Sequence, residues 1–225
     1  MRISVIVPVL NEEKIIAATL EALLPLAPHE IVVVDGGSSD RSREIAERFD
    51  VRVISSERGR AQQMNCGARE ASGDVLLFLH ADTRLPSSAL DDISSALSDR
   101  GYVGGRFDVE LEGNHWMLPV VARLISYRSR VTKVGTGDQA LFVRQSVFDR
   151  MGGFREIPLM EDIAFCRELK ALGQVACLRS RVVTSGRRWE ADGVWRTILQ
   201  MWILKLCYLA GIAPARLKRY YGDTR

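Results

Sequence analysis

The chain has 225 residues, of which 47% are hydrophobic and 26% charged, and its formal charge is only +3. This composition excludes a disordered, collagen-like or low-complexity chain, and the small net charge disfavours a nucleic-acid-binding protein. The four cysteines, at positions 66, 166, 177 and 207, lack metal-finger spacing. We therefore expect reduced thiols in a cytoplasmic protein.

The first residues do not have the pattern of a signal peptide. The apolar run at residues 3–10 is short, contains Pro8, and is followed at once by Glu12 and Glu13. This pattern agrees with the expected cytoplasmic location.

The first third of the chain alternates between predicted strands and helices. Short β-branched runs are typical of strands buried on both faces. The predicted strands are Ile3–Val7, Ile31–Val34, Val51–Ile54 and Val75–Leu79, and the predicted helices are Glu12–Leu24, Asp40–Phe49 with Asp40 as its N-cap, and Ala61–Ala71. This alternation predicts βαβ units in an open parallel sheet.

The second half is less regular. Tyr102–Glu112 alternates like a strand with one exposed face. Further predicted elements are the strands Ala140–Arg144 and Val175–Val183 and the helices Trp116–Arg128 and Met160–Leu172. The predicted fold is α/β: a single doubly wound, Rossmann-like domain at residues 1–192 with a mostly parallel, mixed central sheet. Residues 193–225 are expected to form an amphipathic helix and basic tail that pack on or extend it.

Polar segments follow each of the first four predicted strands, where ligands bind in such sheets. These segments are residues 8–13 (PVLNEE), 35–40 (DGGSSD), 58–60 (RGR) and 80–83 (HADT). Each alone is an ordinary turn or helix start, but four in succession predict a binding site. The sequence contains no GxGxxG, P-loop or GxSxG motif, which disfavours dinucleotide-binding, P-loop and serine-hydrolase functions.

Five ordered segments resemble the family-2 glycosyltransferases of GT-A fold. They are VIVPVLNEE, VVVDGGSSDRS, GRAQQMNCGA, FLHADT and MEDIAFCREL. The likeness is greatest to a bacterial subgroup with an FLHADT motif that includes members assigned to arsenosugar biosynthesis. The resemblance implies transfer of a sugar from a UDP- or GDP-linked donor, with Mn²⁺ or Mg²⁺ on the diphosphate.

The resemblance also implies which residues bind the nucleotide. Pro8, Leu10 and Glu12 match the family's first nucleotide-binding turn, and Arg60 is a further candidate. Asp35 matches the carboxylate that hydrogen-bonds the base, since a carboxylate accepts from N–H donors of uracil or guanine. The alternative for Asp35 is a turn former at a strand end.

His80-Ala81-Asp82 matches the family's metal-binding Asp-x-Asp, with Asp82 as the expected ligand. His80 stands where the first Asp is usual. An imidazole can bind Mn²⁺ but suits Mg²⁺ poorly. The alternatives for His80 are a ribose contact or packing at the end of the sheet.

Many relatives have a metal-binding His after the last strand, but this chain has no His beyond His115. Arg187-Arg188-Trp189 occupies that region. The chain departs from the family here, but a guanidinium at this place is suited to neutralise the leaving diphosphate, and Arg187 is the candidate. A solvated basic turn is the alternative.

Glu161 and Asp162 match the family's Glu-Asp motif, whose Asp is the general base of inverting enzymes. Their alternative role is capping of a helix N-terminus. Asp138 and Gln139 follow two glycines that allow close approach of a ligand, and they are candidates for binding sugar hydroxyls. A tight turn is the alternative there.

Two other functions are considered. A sugar-phosphate nucleotidyltransferase would need a basic, glycine-rich loop after the first strand, where this chain has the acidic PVLNEE. A non-catalytic nucleotide-sugar-binding protein is disfavoured because Asp35, Asp82 and Asp162 are all present. The motifs do not identify the acceptor.

Val194–Ala213 is strongly apolar, with only Arg196 and Lys205 charged. Its helical stripe comprises Trp195, Ile198, Leu199, Trp202, Ile203, Leu206 and Leu209. A basic tail follows, ending at Arg225. Packing on the core, a homodimer interface and contact with the inner face of an anionic membrane are all open. A bilayer span is not expected, because Lys205 would lie near its centre.

Overall fold

The computed structural model describes residues 1–220, without the side chain of Arg188. The strands are β1 Ile3–Val9, β2 Glu30–Asp35, β3 Arg52–Ser55, β4 Val75–Phe78, β5 Thr83–Arg84, β6 Tyr102–Glu112, β7 Leu141–Arg144 and β8 Gln174–Ser185. The helices are α1 Ile16–Leu23, α2 Ser42–Ala46, α3 Arg60–Glu70, α4 Ala89–Ala96, α5 Leu118–Thr132, α6 Gln145–Met151, α7 Glu161–Leu172, α8 Arg187–Asp192, α9 Val194–Leu209 and α10 Pro214–Lys218. Short 3-10 turns occupy Leu24–Leu26 and Gly137–Gln139.

Within residues 1–220 the strands form one eight-stranded sheet in the order β3-β2-β1-β4-β7-β6-β8-β5. The first four of these are mutually parallel, which confirms the predicted βαβ units. Strand β7 runs antiparallel to both β4 and β6, whereas β6 and β8 are parallel. The mixed, mostly parallel sheet predicted from the sequence is confirmed.

The continuous apolar run of β1 is explained by helices on both faces of the sheet. Val5 and Val7 belong to a core cluster with Ile16 and Leu20 of α1. Ile6 faces the other way and packs in a second cluster that includes Met64 of α3. Strand β1 is therefore buried on both sides, as its sequence predicts.

The starts of the first two helices differ from the sequence prediction. Helix α1 begins at Ile16 and not at Glu12, because the chain first turns through Asn11, which has a φ of +54°. The carbonyl of Glu12 then accepts the N–H of Ile16 at 3.0 Å. In α2 the N-cap is Arg41, although Asp40 still accepts the N–H of Ser42 at 2.9 Å.

The prediction of one exposed face for β6 is wrong. Residues 103–109 are all buried, and alternation appears only at the end, where Leu111 is buried between exposed Glu110 and Glu112. The reason is that β6 lies inside the sheet between β7 and β8. Helix α5 covers one face, and Oγ of Ser126 on α5 accepts the N–H of Val109 at 3.1 Å.

Helix α9 packs on the core mainly through residues outside the predicted apolar stripe. Its buried residues are Val194, Thr197 and Leu204, and Ile198 is partly buried. The remaining members of the predicted stripe are exposed, namely Trp195, Leu199, Trp202, Ile203, Leu206 and Leu209. Among residues 1–220, no helix is both long and apolar enough to span a bilayer. The end of the basic tail, including Arg225, lies outside the described residues.

Helix α3 approaches β1 and β2 closely at Gly67. A Cβ added there would lie 2.5 Å from Cγ2 of Ile6 and 2.9 Å from Cγ2 of Val34. Both neighbours are β-branched core residues with little freedom to move. The glycine therefore sets the spacing between this helix and the sheet.

We expect Gly67→Val to lower the free energy of unfolding by about 1–3 kcal/mol, because overpacking must displace α3 from the sheet. Urea denaturation measures this change. Arg69→Ala, at an exposed position of the same helix, is the control and should leave the midpoint nearly unchanged. An unshifted midpoint for Gly67→Val would contradict this account of the packing.

Candidate active site

The segments that follow β1 and β2 are joined by hydrogen bonds. Asn11 donates its N–H to Oγ of Ser38 at 3.0 Å, and its Oδ1 accepts the N–H of Ser39 at 2.8 Å. Since Val9 lies opposite Asp35 in the parallel register, both segments emerge at the same edge of the sheet. The first two predicted motifs therefore form one unit.

Asp35 is buried at the end of β2, where its carboxylate accepts the N–H groups of Gly37 and Ser38, each at 3.2 Å. These contacts are those of a turn former. A carboxylate has about four lone-pair sites, so further donors can be accepted. Its turn-forming and base-binding roles are therefore compatible.

Gln63 of α3 connects β1 and β2, although no sequence motif marks it as a site residue. Its Nε2 donates to the carbonyls of Val9 at 2.7 Å and Val34 at 2.9 Å. The side chain is fully buried, and a Cβ at Gly36 would lie 2.8 Å from its Cδ. Gln63 thus holds the two strand ends together, a role that no helical periodicity could reveal.

Pro8 and Leu10 have different positions. Pro8 is buried within β1 opposite Val34, so it shapes the strand that leads to the site. Leu10 borders a cavity of about 330 Å³ that is also lined by Arg58, Gly59 and Arg60. The first and third predicted motifs meet at this cavity.

A second cavity, of about 280 Å³, lies where the ends of β4 and β8 approach α9. Its charged and titratable lining includes Glu12, Arg60, His80, Asp82, Asp138 and Arg187. The structure thus brings six of the predicted site residues to one place. Arg60 also lines the first cavity, so the two adjoin.

Arg187 connects the ends of three strands. Its Nη2 lies 3.3 Å from Oε2 of Glu12 and 3.4 Å from Oδ2 of Asp82. The side chain is about half exposed but has two carboxylate partners, unlike that of a freely solvated basic turn. The side chain of Arg188 lies outside the described part of the chain.

His80 is buried at the end of β4, and its Nδ1 lies 3.5 Å from Oδ1 of Asp138. Its Nε2 is buried without a hydrogen-bond partner in the described residues. A Cβ at Gly137 would lie 2.4 Å from that nitrogen, so a glycine is needed there. The imidazole therefore packs against backbone and retains one unused nitrogen.

The structure does not place Gln139 in the cavity. Gln139 is fully buried, and its Nε2 donates to the carbonyl of Phe107 and to Oγ of Ser129, both at 3.0 Å. Its Oε1 also accepts the N–H of Thr136 at 3.3 Å, which closes the 137–139 turn. The amide is committed within the fold and not available to sugar hydroxyls, whereas Asp138 is half exposed at the cavity.

Asp162 and Glu161 begin α7 on the adjoining wall. Asp162 accepts the N–H of Gly137 at 2.9 Å and the N–H of Ile163 at 2.7 Å. Oε1 of the buried Glu161 lies 3.4 Å from Nη1 of Arg60. A small cleft lined by His80, Gly137 and both acidic residues joins this pair to the larger cavity.

Burial raises the pKa of Asp162 to about 6, and the neighbouring carboxylate of Glu161 adds to this effect. The N–H of Gly137 and the guanidinium of Arg60 act in the opposite direction. A carboxyl group with this pKa is largely ionised at neutral pH and is a stronger base than an ordinary aspartate. The local environment therefore suits proton acceptance.

The side chains of the cavity can be compared with the ligands that a divalent metal prefers. Within residues 1–220, no three His, Cys, Asp or Glu side chains are grouped as a ready metal site. Mg²⁺ sites often use one or two carboxylates and take their other ligands from substrate phosphates and water. Asp82, with its partly exposed carboxylate, fits that kind of site, and the unused Nε2 of His80 is chemically suited to Mn²⁺.

Comparison with known proteins identifies the family. The model of Glycosyl transferase family 2 matches residues 4–156. A dolichol-phosphate mannosyltransferase of Pyrococcus furiosus is 29% identical over 185 residues, which cover 77% of this chain and 50% of that protein. The glycosyltransferase AglE of Haloferax volcanii is 29% identical over 171 residues, covering 68% and 55%. The chain spans about half the length of these two relatives.

Solved structures share the fold. The mannosyltransferase PcManGT of Pyrobaculum calidifontis, in complex with GDP-Man and Mn²⁺, has a TM-score of 0.64 and 22% identity, covering 81% of this chain and 56% of that one. S. aureus TarS in complex with UDP-GlcNAc has a TM-score of 0.63 and 21% identity, covering 82% and 58%. These likenesses confirm the predicted GT-A-like fold. With the family match over most of its length, the chain belongs to glycosyl transferase family 2.

Proposed function

We propose that this protein transfers a sugar from a nucleotide diphosphate sugar to an acceptor, with inversion and with a divalent metal. The main support is one arrangement: Arg187 bridges Glu12 and Asp82 in a cavity that adjoins the Glu161–Asp162 wall. A cation and a carboxylate for the diphosphate therefore lie near a base for the acceptor. We also propose membership of the FLHADT subgroup, on the motif at residues 78–83.

The donor's nucleotide is assigned to the edge formed by the ends of β1, β2 and β3. Asp35 accepts from the base, Leu10 and Glu12 border the nucleotide, and Arg60 reaches it from α3. The PcManGT and TarS structures contain GDP-Man and UDP-GlcNAc respectively, which supports a UDP- or GDP-linked donor here. Pro8 acts indirectly, by fixing the end of β1.

The donor's diphosphate is assigned to Asp82 and Arg187. A divalent metal on Asp82 would neutralise the charge of the departing diphosphate. Arg187 is held by two carboxylates and adds a planar, permanently charged donor. His80 is a further candidate ligand, because its Nε2 has no hydrogen-bond partner among the described residues.

Asp162 is the proposed general base, and Glu161 raises its pKa. The ionised Asp162 takes the proton of the acceptor nucleophile as that atom attacks the anomeric carbon from the face opposite the diphosphate. Asp138, half exposed beside His80, is positioned to bind a donor sugar hydroxyl. Gln139 supports this turn from within the core.

The outer faces of α5 and α9 expose an apolar surface. On α5 and just before it these residues are Trp116, Val120, Leu124, Tyr127 and Val131, and on α9 they are Trp195, Leu199, Trp202, Ile203, Leu206 and Leu209. Arg196, Arg216 and Arg219 border an adjacent cavity of about 740 Å³ between α9 and α10. We propose that residues 1–192 are the catalytic domain and that residues 193–225 contact an anionic membrane surface. Two copies of the chain would instead bring like basic groups together.

Titration of the full chain with UDP and with GDP tests the donor site. We expect saturable binding of one nucleotide that strengthens on addition of Mn²⁺, and loss of the Mn²⁺ effect in Asp82→Ala because the carboxylate ligand is gone. Asp91→Ala, at an exposed position on α4, is the control. Absence of metal-dependent nucleotide binding in the folded wild type would refute the proposed function.

We expect Asp162→Asn to lower kcat by about 10²-fold or more while nucleotide affinity stays near normal, because the amide cannot accept the proton. In the wild type, kcat/KM should fall as the pH drops through about 6, where Asp162 becomes protonated. Initial rates of donor turnover across pH measure both effects.

Thermal unfolding separates catalysis by Asp162 from capping. Its folded pKa, about 6, lies above the ordinary 3.8, so its stabilising contribution is present below pH 3.8 and lost as the pH rises through about 6. Asp162→Asn should therefore not lower Tm at pH 8. A clear drop in Tm with kcat retained would instead identify a helix cap.

Arg187→Gln should weaken nucleotide binding and lower transfer by about 10²-fold, since one fixed cationic donor at the diphosphate is lost. Arg179→Gln, at an exposed position on β8, is the matched control. Equal activity of the two variants would show that Arg187 forms only a surface turn.

Vesicle flotation tests the apolar surface. The full chain should float with phosphatidylglycerol vesicles and not with phosphatidylcholine vesicles, because both apolar and basic groups contribute. Trp202→Ser with Leu206→Ser should abolish flotation, whereas Ser95→Ala on α4 should not. A concentration-dependent dimer that ignores vesicles would contradict membrane contact.

A further inference from the structure

Two cations near the proposed base have no use in the mechanism described so far. Arg128 lies on α5 and Lys205 on α9, and both are partly buried. Nε of Arg128 is buried without a hydrogen-bond partner in the described residues. Neither side chain forms an ion pair with any carboxylate between residues 1 and 220.

The two groups lie close enough to affect each other and the site. Burial lowers the pKa of Lys205, and the charge of Arg128 lowers it further, while Asp162 opposes the change. Burial also lowers the pKa of the Arg128 guanidinium, against the attraction of Asp162 and Asp138. Both cations are therefore within electrostatic range of Asp162.

The buried carboxylate of Asp108, which contacts α5, already has partners. It forms ion pairs with Arg106 of β6 and Arg130 of α5. It therefore has two guanidinium partners and forms no ion pair with Arg128. Partly buried charges are normally paired, and two like charges that repel each other and lack ion-pair partners are stabilised when an anion binds them.

We propose that Arg128 and Lys205 bind a phosphate group carried by the acceptor. This inference rests on the proposed function and names the acceptor's chemical class. The donor's diphosphate is assigned to Asp82 and Arg187, so a second anion beside Asp162 belongs to the other substrate. A guanidinium and an ammonium suit a phosphate, since one offers a planar fork and the other a compact charge.

Exposed apolar side chains near Arg128 and Lys205 indicate what the rest of the acceptor is made of. Tyr127 and Val131 are exposed beside Arg128, and Trp202, Leu206 and Leu209 are exposed beside Lys205. These apolar side chains would contact an apolar portion of an acceptor whose phosphate is held between the helices. A phosphate on a lipid and a phosphate on a small polar molecule share the same anion chemistry, and the experiment separates them.

The experiment uses the full chain, saturated first with the nucleotide and Mn²⁺ so that the donor site is filled. Dodecyl phosphate below its micelle-forming concentration, glycerol 3-phosphate and inorganic phosphate are then titrated calorimetrically. We expect saturable binding that weakens by about ten-fold or more in Arg128→Gln and in Lys205→Gln, as expected for loss of a charge-assisted hydrogen bond. Arg123→Gln and Lys133→Gln, at exposed positions on and just after α5, should bind as the wild type does.

The relative affinities of the three phosphates distinguish the acceptor classes and test the site itself. Tighter binding of dodecyl phosphate than of glycerol 3-phosphate supports a lipid-linked acceptor, and equal binding supports a small phosphorylated one. Absence of saturable binding of all three, or equal weakening in the controls, overturns the phosphate site. Nucleotide binding is measured in the same samples, so failure of the donor site is distinguished from failure of this inference. If Arg128→Gln does not fold, Lys205→Gln on the outer helix decides alone.

Discussion

The parallel register of β1 with β2 and β4 determines where the polar groups that follow these three strands can lie. Val9 is opposite Asp35, and Ile6 is opposite Phe78, so three strand ends open at one edge of the sheet. Gly67 keeps α3 close to this sheet, and Gln63 on the same helix joins the carbonyls at the ends of β1 and β2. The residues that contact a ligand are loop residues, but their positions are fixed by the core beneath them.

The other side of the site comes from the antiparallel half of the sheet. Strand β7 reverses direction beside β4, and the turn before it brings Gly137 against His80 and Asp162. Strand β8 then carries Arg187 back to Glu12 and Asp82. The mixed topology is thus what allows residues far apart in the chain to share a cavity, as Arg187 and Glu12 do with a separation of 175.

Most of the parallel half could be predicted from the sequence, because β-branched runs between amphipathic helices leave few other arrangements. The environment of β6 could not, since burial of its second face depends on which strands flank it. The sequence predicts that Gln139 binds the ligand, whereas its amide lies in the core. A polar residue after two glycines has the same sequence pattern in either position. Helix α9 is apolar on most of its surface, so periodicity alone could not tell which face packs on the core.

The carboxylates of the cavity explain why the proposed reaction needs a divalent metal. Glu12, Asp82 and Asp138 line the cavity with Arg187 and Arg60, and Arg60 also contacts Glu161. Among the described lining residues, carboxylates thus outnumber guanidinium groups, and those carboxylates repel a diphosphate that arrives alone. A divalent cation entering with the diphosphate reverses that balance, while Arg187 limits how much positive charge the metal must supply. Since Arg187 is held by the same two carboxylates that repel the diphosphate, the acidic residues both position the cation and make nucleotide binding depend on the metal.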